Sequence, residues 1–548
     1  MELLSTAEPI VSEGSVSRLF ASSTLSPQVK LEPLMGRWPL WPHLVPPAQF
    51  ALNLAFRLLP GLRSFVANPT VHADAARTPS LFGGPFVALS EEDQLAVLEL
   101  LKEAGHRWRR LLEFADAIKA FDTHLQANAT GYSLDAYYER LPESLAGLVE
   151  IVYDLNNHPR LRLVEALMYD SPLDDVSAQG FCLQLIDDGQ RPFFMNTPLL
   201  DGPHRLFFQV PFTDPVIDEL ATARIERGIP KLVQGLLTRQ RCSPRLICRW
   251  LTQDEPVRVL PNYDGDQLRI RYFGHACVLL QTRSVSILLD PCTAWQRDDA
   301  LARFTFNDLP DFIDYAVITH GHQDHFVAET LIQLRKRVGR IVIPPCDHGN
   351  LADPSMRLML QRFGFESIVT LEQFSPLSVP EGEILSVPFT GEHGDLDIAG
   401  KHCVLVRIAG RQILFMVDSN AVDAALLRRV AARIGPVDMI FLGMECHGAP
   451  VSWVYGPLFT HPLTRENDQS RRFSGSNSDR AWTAVEALGC RRVFIYAMGQ
   501  EPWVRHLMGL EYAPDAIQLR EASRFIDRCK HAGIRALCLK GCHEEICV

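Results

Sequence analysis

The segment that most restricts the fold of this chain is a short apolar run followed at once by a histidine-rich turn. Residues 315–318 have the pattern of a buried strand, and the turn that follows contains His320, His322, Asp324 and His325. His320 and His322 are two residues apart, so in an extended turn they project to the same side. Asp324 and His325 are adjacent and can serve a second ion close to the first. Ordinary packing seldom explains such a cluster, so we predict a dinuclear metal site at the end of a strand.

Length and composition are those of a soluble multidomain protein. A chain of 548 residues is too long for one ordinary domain and predicts two or three. The net charge of −11 argues against a nucleic-acid surface and against binding to an anionic membrane. The N-terminus has no basic region before an apolar core, and no apolar run approaches ~18 residues. We therefore expect a cytoplasmic protein whose 13 cysteines are reduced thiols.

Changes in pattern along the chain predict four segments. Residues 1–50 are rich in Ser and Pro and predict an extended arm, packed on another domain or on a second subunit of a homodimer. Residues 51–250 pass from helical periodicity to short strands and predict an α+β domain for recognition or dimerisation. Residues 251–266 predict a linker. Residues 267–548 alternate apolar strands with helices, which is typical of an α/β domain.

The sequence around the histidine turn resembles the metallo-β-lactamase superfamily, over roughly residues 267–548. A Gly-His-Ala element at His275 and a Leu-Asp-Pro element at Asp290 are similar to the opening hairpin of that superfamily. Asp418 ends an apolar run, where the superfamily has its bridging aspartate. The resemblance implies an αβ/βα four-layer sandwich with metals at the strand ends. It also implies that His275 supports the site rather than binding metal.

Two positions depart from the zinc hydrolases of this superfamily. Either Glu392 or His393 can supply the third ligand, and we favour Glu392. Glu392 stands three residues before Asp395, a spacing that resembles the diiron members. No histidine follows the last apolar strand, so the final ligand must come from elsewhere. His447 follows another strong strand and is the preferred substitute, with His461 as the second choice.

The resulting ligand set is rich in carboxylates. Zinc prefers imidazole and thiolate ligands, whereas additional carboxylate ligands favour iron or manganese and stabilise their higher oxidation states. Together with the additional N-terminal domain, these motifs resemble the diiron β-hydroxylases of nonribosomal peptide antibiotic biosynthesis, of the chloramphenicol-pathway type. The resemblance implies a dinuclear non-haem iron monooxygenase with two iron ions per chain, dioxygen as cosubstrate and an external electron-donor protein. The implied substrate is an amino acid held as a thioester on a carrier domain of a nonribosomal peptide synthetase and hydroxylated at its β-carbon.

The resemblance also divides the ligands between the two ions. The predicted metal ligands are His320, His322 and Glu392 for one iron, Asp324, His325 and His447 for the other, and Asp418 as the bridge. Glu392 and Asp418 are the predicted catalytic carboxylates.

The loop around His447 contains candidate substrate-binding residues. These are Glu445, Trp453 and Tyr455, for which ordinary packing is the alternative interpretation. The rival function is a dizinc or dimanganese hydrolase, such as a lactonase, thioesterase or phosphodiesterase. It would use the same cluster and bind its metal through His393.

Overall fold

The fold is that of a computed structural model, which describes residues 13–239, 244–297 and 301–547. The α-helices within these ranges are α1 (Glu13–Ser22), α2 (Pro47–Asn53), α3 (Leu59–Ala67), α4 (Pro69–Arg77), α5 (Gln94–Arg107), α6 (Arg109–Asn128), α7 (Asp135–Tyr138), α8 (Glu165–Tyr169), α9 (Pro215–Thr222), α10 (Lys231–Arg239), α11 (Pro244–Trp250), α12 (Ala328–Leu334), α13 (Met356–Arg362), α14 (Ala424–Ile434), α15 (Ser452–Tyr455), α16 (Arg465–Ser470), α17 (Ser478–Leu488), α18 (Arg505–Met508) and α19 (Ile517–His531). A π-helical turn, Leu54–Leu58, joins α2 to α3.

The strands are β1 (Thr24–Leu25), β2 (Lys30–Met35), β3 (Trp38–Pro39), β4 (Val149–Tyr153), β5 (Pro159–Leu163), β6 (Gln179–Gln184), β7 (Arg205–Phe208), β8 (Leu251–Thr252), β9 (Leu268–Gly274), β10 (Cys277–Gln281), β11 (Ser286–Leu289), β12 (Ile313–Val317), β13 (Val338–Ile343), β14 (Ile368–Thr370), β15 (Pro376–Val379), β16 (Gly382–Val387), β17 (Cys403–Ile408), β18 (Arg411–Val417), β19 (Met439–Gly443), β20 (Arg492–Tyr496), β21 (Arg535–Cys538) and β22 (His543–Cys547). Short 3₁₀ turns are Pro42–Leu44, Pro79–Leu81, Glu91–Asp93, Val176–Ala178, Asp188–Gln190, Phe306–Asp308, Gly456–Leu458 and Pro502–Val504.

Two seven-stranded sheets form the centre of the catalytic half. Their strand orders are β14-β13-β12-β11-β10-β9-β22 and β15-β16-β17-β18-β19-β20-β21. Side chains alternate between the faces of β10: Val278 and Leu280 belong to the core between the sheets, whereas Leu279 packs on the opposite face. Buried residues of α12 and α13 cover the outer face of the first sheet, and those of α14, α17 and α19 pack against the second. This confirms the predicted αβ/βα four-layer sandwich.

The N-terminal half mixes helices with antiparallel strands, as predicted. Its main sheet has the order β3-β2-β6-β7, and β4 and β5 form a separate hairpin. The helices α2, α3, α5 and α6 pack together beside it. Their buried side chains belong to the same hydrophobic cluster as the outer face of the first catalytic sheet. The two halves therefore share one continuous core.

The segment that we expected to be an extended arm, residues 1–50, has a different structure over its described part. Residues 30–35 form β2, which pairs antiparallel with β6 and is buried along its whole length. The side chains of Leu31, Leu34 and Met35 are almost inaccessible. The Ser- and Pro-rich composition of the segment hid this strand, which takes its partner from residues 179–184. Residues 1–12 lie outside the described residues.

One helical stretch, Pro47–Ala67, is long and apolar enough to span a membrane by length and composition alone. It consists of α2, the π-helical turn and α3. Leu52, Leu54 and Leu58 within it are completely buried in the shared core. A core helix satisfies the same length and composition test, and we interpret this stretch as one.

A buried network of charges joins the two halves. The Arg191 guanidinium lies 2.7 Å from Glu32 Oε2 on β2 and 2.9 Å from Glu329 Oε2 on α12. Gln184 donates a further hydrogen bond to Glu32. Nearby, Asp188 pairs with Lys30. The side chain of Arg191 is only 3% exposed, so this cation neutralises two carboxylates away from water.

Removing the Arg191 guanidinium should destabilise the protein strongly. Arg191→Met leaves Glu32 and Glu329 buried without their cation, which costs about 3–5 kcal/mol. Arg77→Met, at an exposed helical pair with Asp74, should cost less than about 1 kcal/mol. The midpoint of urea unfolding measures both effects. Equal midpoints for the two variants would contradict the role given to Arg191.

Candidate metal centre

Asp290 ties together the strand ends that carry the centre. It follows β11, and its carboxylate accepts hydrogen bonds from the backbone N–H and the hydroxyl of Thr319, at 2.8 and 2.7 Å. The same carboxylate lies 2.9 Å from His325 Nδ1. Because Nδ1 of His325 is held in this way, its Nε2 is directed towards Asp418 Oδ2, 3.1 Å away. The ends of the parallel strands β11 and β12 are thus fixed to one imidazole.

Two further imidazoles face each other across the same turn. His320 Nε2 lies 3.2 Å from His322 Nδ1, while His320 Nδ1 is beside the Thr319 hydroxyl at 3.1 Å. His322 Nε2 lies 3.3 Å from the phenol oxygen of Tyr455. Each ring therefore has one nitrogen held from behind and the other directed at the centre. His320 presents Nε2 and His322 presents Nδ1.

Three carboxylates complete the cluster. Asp324 Oδ2 lies 2.9 Å from His275 Nε2 and 3.5 Å from His325 Nε2. Glu392 Oε1 lies 3.0 Å from His322 Nδ1. Asp418 is the residue between the two imidazole groups, because the same oxygen that meets His325 is 3.9 Å from His320 Nε2.

The potential ligand atoms fall into overlapping groups, in each of which they lie within 4.8 Å of one another. The groups at the turn are His320, His322, Glu392 and His393; His320, His325 and Asp418; and His275, Asp324 and His325. Because the groups share histidines, they form one contiguous centre large enough for two ions.

The electrostatics of the centre suit cations. Burial opposes ionisation of Asp324 and Glu392, yet the adjacent histidines hold the pKa of each carboxyl below its usual range. Burial raises the pKa of Asp418. Within the described residues, the ion-pair partners of these three carboxylates are histidines rather than Lys or Arg. Bound metal cations would supply the positive charge that the imidazoles alone do not.

The donor set also fits iron. Glu392 Oε2 and His393 Nδ1 are 2.5 Å apart, yet neither buried atom makes a hydrogen bond of acceptable geometry. Two such atoms are better explained by a cation bound beside them than by a hydrogen bond between them. Imidazoles combined with several carboxylate oxygens are ligands that suit iron, whereas thiolate-rich sites suit zinc.

The backbone around the centre is strained. His275, Asp290, Glu392 and Val417 have φ values of +50°, +39°, +68° and +52°. Left-handed conformations are uncommon for residues other than glycine and are least favourable for a β-branched residue such as Val417. All four residues bear or adjoin a side chain of the centre, as is typical of strain retained at functional sites.

The structure does not bring the predicted ligand His447 into the cluster. Its side chain is exposed at the edge of the pocket beside the centre, and it belongs to none of the ligand groups. The loop after β19 is fixed by Gln518, which donates to the His447 carbonyl, and by the Gly448 N–H, which donates to the Phe473 carbonyl. These contacts leave the imidazole directed outwards. The second choice, His461, is exposed and does not line the pocket.

The three predicted substrate-binding residues lie in different places. Glu445 lines the pocket, and burial together with the charges of Asp418 and Asp324 raises its pKa to about 8. Trp453 also lines the pocket, and its ring stacks on Phe193 at 5.5 Å. Tyr455 is buried behind the centre, where it contacts His322 instead of the pocket.

Sequence reasoning gave no role in the site to Asp290 or His43. The position of Asp290 directly after a buried strand is the sequence signal for its role. His43 lies in the N-terminal half, and its ring packs on that of Tyr455 at 5.5 Å. No local pattern around His43 reveals this contact, which depends on how the halves pack.

Asp290→Ala should weaken metal binding because His325 loses the partner that orients it. Loss of such a supporting carboxylate typically costs about 10–100-fold in metal affinity. Asp314→Ala is the matched control: Asp314 lies at the opposite end of the same strand pair, where it accepts from Ser286. Competition with a chelator measures the affinity. Equal losses in both variants would show that Asp290 supports only the sheet.

Comparison with known proteins places this centre in a family. Residues 24–256 match the family described as the diiron non-heme beta-hydroxylase N-terminal domain, and residues 286–454 match the beta-lactamase superfamily domain. A UPF0173 metal-dependent hydrolase of Oenococcus oeni is similar over only 33% of this chain, at 23% identity, covering 75% of the hydrolase.

Two comparisons extend over both halves of the chain. The 4-amino-L-phenylalanyl-[CmlP-peptidyl-carrier-protein] 3-hydroxylase of Streptomyces venezuelae is 36% identical over 499 residues, which cover 89% of this chain and 93% of that protein. The crystal structure of CmlA, a diiron beta-hydroxylase from Streptomyces venezuelae, matches with a TM-score of 0.88 and 34% identity, over 96% of this chain and 99% of that one. The chain therefore belongs to the CmlA-type diiron β-hydroxylases, oxygen-dependent monooxygenases that use two iron ions.

Proposed function

We propose that this enzyme hydroxylates the β-carbon of an amino acid held as a thioester on a carrier domain of a nonribosomal peptide synthetase. The similarity to a carrier-protein-dependent 3-hydroxylase along almost the whole chain is the observation that carries this proposal. The acid-rich dinuclear centre supports the reaction type. We place the reaction in the cytoplasm, with electrons from an external donor protein.

We propose that seven side chains hold the two irons. His320, His322 and Glu392 would bind one ion, Asp324 and His325 the other, with Asp418 between them. In place of His447, we propose Glu445 as the seventh ligand, because it lines the pocket together with Asp324, Glu392 and Asp418. The Glu445 side chain is only partly exposed, whereas the His447 imidazole is exposed.

The residues around the irons orient ligands and shape the pocket. Bound iron, reduced by the external donor, would supply the activation of dioxygen and the removal of hydrogen from the β-carbon. Asp290 and His275 fix the ligands His325 and Asp324, and Tyr455 supports His322. The adjoining pocket has a volume of about 440 Å³ and is partly walled by Trp453 and Phe473, which limit the water around the reacting carbon.

The alternative arrangement of ligands is the hydrolase-type one, and one observation favours it. His393, the ligand that a hydrolase would use, lies in the same group of potential ligands as Glu392. Its ring stacks on that of His322 at 4.3 Å. Comparing substitutions at the two neighbouring positions separates the two arrangements.

Glu392→Ala should empty or weaken one iron site, because it removes an oxygen ligand beside His322. His393→Ala should be milder, since Glu392 still completes the set. Iron content after purification from iron-replete medium, measured by elemental analysis, checks both variants. If His393→Ala loses more metal than Glu392→Ala, the centre follows the hydrolase pattern.

Carrier-loaded amino acids should gain one oxygen atom, whereas the same amino acids free in solution should not. A tether delivers the β-carbon to the centre in one pose at high effective concentration. The protein is reduced chemically and exposed to labelled dioxygen. Intact carriers loaded with a panel of amino acids are then weighed by mass spectrometry. Label from dioxygen on the loaded carrier supports hydroxylation. Loss of the aminoacyl group without oxygen gain would identify a thioesterase.

A further inference from the structure

A second cavity adjoins the metal pocket at the boundary between the two halves. Its volume is about 590 Å³. The N-terminal half contributes the rings of Phe56 and Phe193, and the catalytic half contributes Trp453. Polar groups of Arg57, Ser64 and Asn196 also line it. The cavity is therefore amphipathic and is built jointly by the two halves.

This cavity and the metal pocket are adjacent, and we call the boundary between them the neck. Both spaces are lined by Gly83, Gly84, Pro450 and Trp453. The Trp453 indole N–H donates to the Gly83 carbonyl at 2.8 Å. Gly83 has a φ of +81° and lies so close to the Gly509 backbone that a Cβ would collide with it. At its other end the cavity is bordered by the exposed residues Ser64 and Pro85. The cavity thus extends from the surface to the boundary of the metal pocket.

Arg57 places a positive charge on the wall of this cavity. It lies in the π-helical turn, a feature that occurs frequently at functional sites. Its guanidinium donates to the carbonyls of Trp453 and Val454, at 2.5 and 3.2 Å. Burial lowers the pKa of Arg57 to about 10, and within the described part of the chain no carboxylate pairs with it. A further N–H of the guanidinium contacts Met195 Sδ at 3.2 Å, a weak acceptor that an amide carbonyl of a ligand in the cavity can replace.

We propose that this cavity binds the pantetheine arm of the carrier, with the thiol end at the neck between Trp453 and Gly83. This inference rests on the proposed function, because only a tethered substrate needs such an arm. Pantetheine combines two amides with a dimethyl-substituted carbon. The amide carbonyls match the donors of Arg57, and the methyl groups match the walls formed by Phe56 and Phe193. The neck then places the thioester next to the metal pocket.

Filling the cavity should block the arm. Gly61 lies on α3 at the cavity wall, and a Cβ there meets only Val87, at an ordinary 3.8 Å. Gly61→Phe therefore introduces a ring into the space without a backbone collision. The matched control is Gly105→Phe on α5. A Cβ at Gly105 has no neighbour within 4 Å, and Gly105 lines neither cavity.

Calorimetric titration of the iron-loaded full chain with pantetheine tests the proposal. The wild-type protein and Gly105→Phe should bind pantetheine equally, and Gly61→Phe should bind it at least about tenfold more weakly. Arg57→Lys keeps the charge but loses the planar fork, and should weaken binding several-fold. N-acetylcysteamine, which lacks most of the arm, should bind more weakly than pantetheine to the wild type.

Three results would overturn the proposal. The first is unchanged pantetheine binding in Gly61→Phe, which would place the arm at the exposed edge of the metal pocket, beside His447. The second is the absence of pantetheine binding to the wild type. The third concerns a parallel titration with free 4-amino-L-phenylalanine. If Gly61→Phe weakens the binding of this amino acid but not that of pantetheine, the cavity holds the amino acid side chain instead of the arm. If pantetheine binds as expected but no loaded carrier gains oxygen, the proposed reaction fails while the cavity assignment stands.

Discussion

The hydrogen bonds of Asp290 are the interactions on which the metal centre depends. One carboxylate joins the end of β11 to Thr319 after β12 and to the ring of His325. That connection fixes the position of the turn and of the His325 ring relative to the sheet. The left-handed backbone at Asp290 is the conformational cost of placing the carboxylate there. The surrounding sandwich supplies the rigidity that retains it, since β11 and β12 are completely buried over most of their length.

The N-terminal half is part of the same physical unit as the centre. His43 packs on Tyr455, which in turn lies 3.3 Å from His322. Arg57 donates to the carbonyls of the two residues before Tyr455. Side chains of the N-terminal half thus reach the metal ligands through one intervening residue. The N-terminal half thus packs behind one ligand through His43 and lines part of the metal pocket through Gly83 and Gly84.

Much of the fold and of the centre follows from local patterns. The spacing of His320, His322, Asp324 and His325 after an apolar run predicts a cluster at a strand end, and the structure brings these four side chains together. The alternation of strands and helices predicts an α/β domain, because each pattern repeats over few residues, and the resemblance to the metallo-β-lactamase superfamily specifies the sandwich. Such features are visible in sequence because neighbouring residues produce them.

The remaining features depend on contacts between distant residues. The outward direction of His447 is fixed by Gln518 and Phe473, which no spacing rule connects to it. The position of Tyr455 after the His447 loop predicts a pocket residue. Tyr455 instead ends α15, and its side chain lies behind the cluster against His322. The strand β2 was hidden in a Ser- and Pro-rich segment because its partner β6 lies far along the chain. Long-range packing decides each of these cases.

The central claim is that an acid-rich ligand set holds two irons at this centre, and anomalous X-ray diffraction tests it most directly. Crystals are grown from protein expressed with both iron and zinc available, and data are collected at the absorption edges of both metals. The account predicts two iron peaks, one within reach of His320, His322 and Glu392 and the other within reach of Asp324 and His325, with Asp418 between them. Zinc peaks at these positions, or a metal bound by His393 with Glu392 turned away, would contradict it.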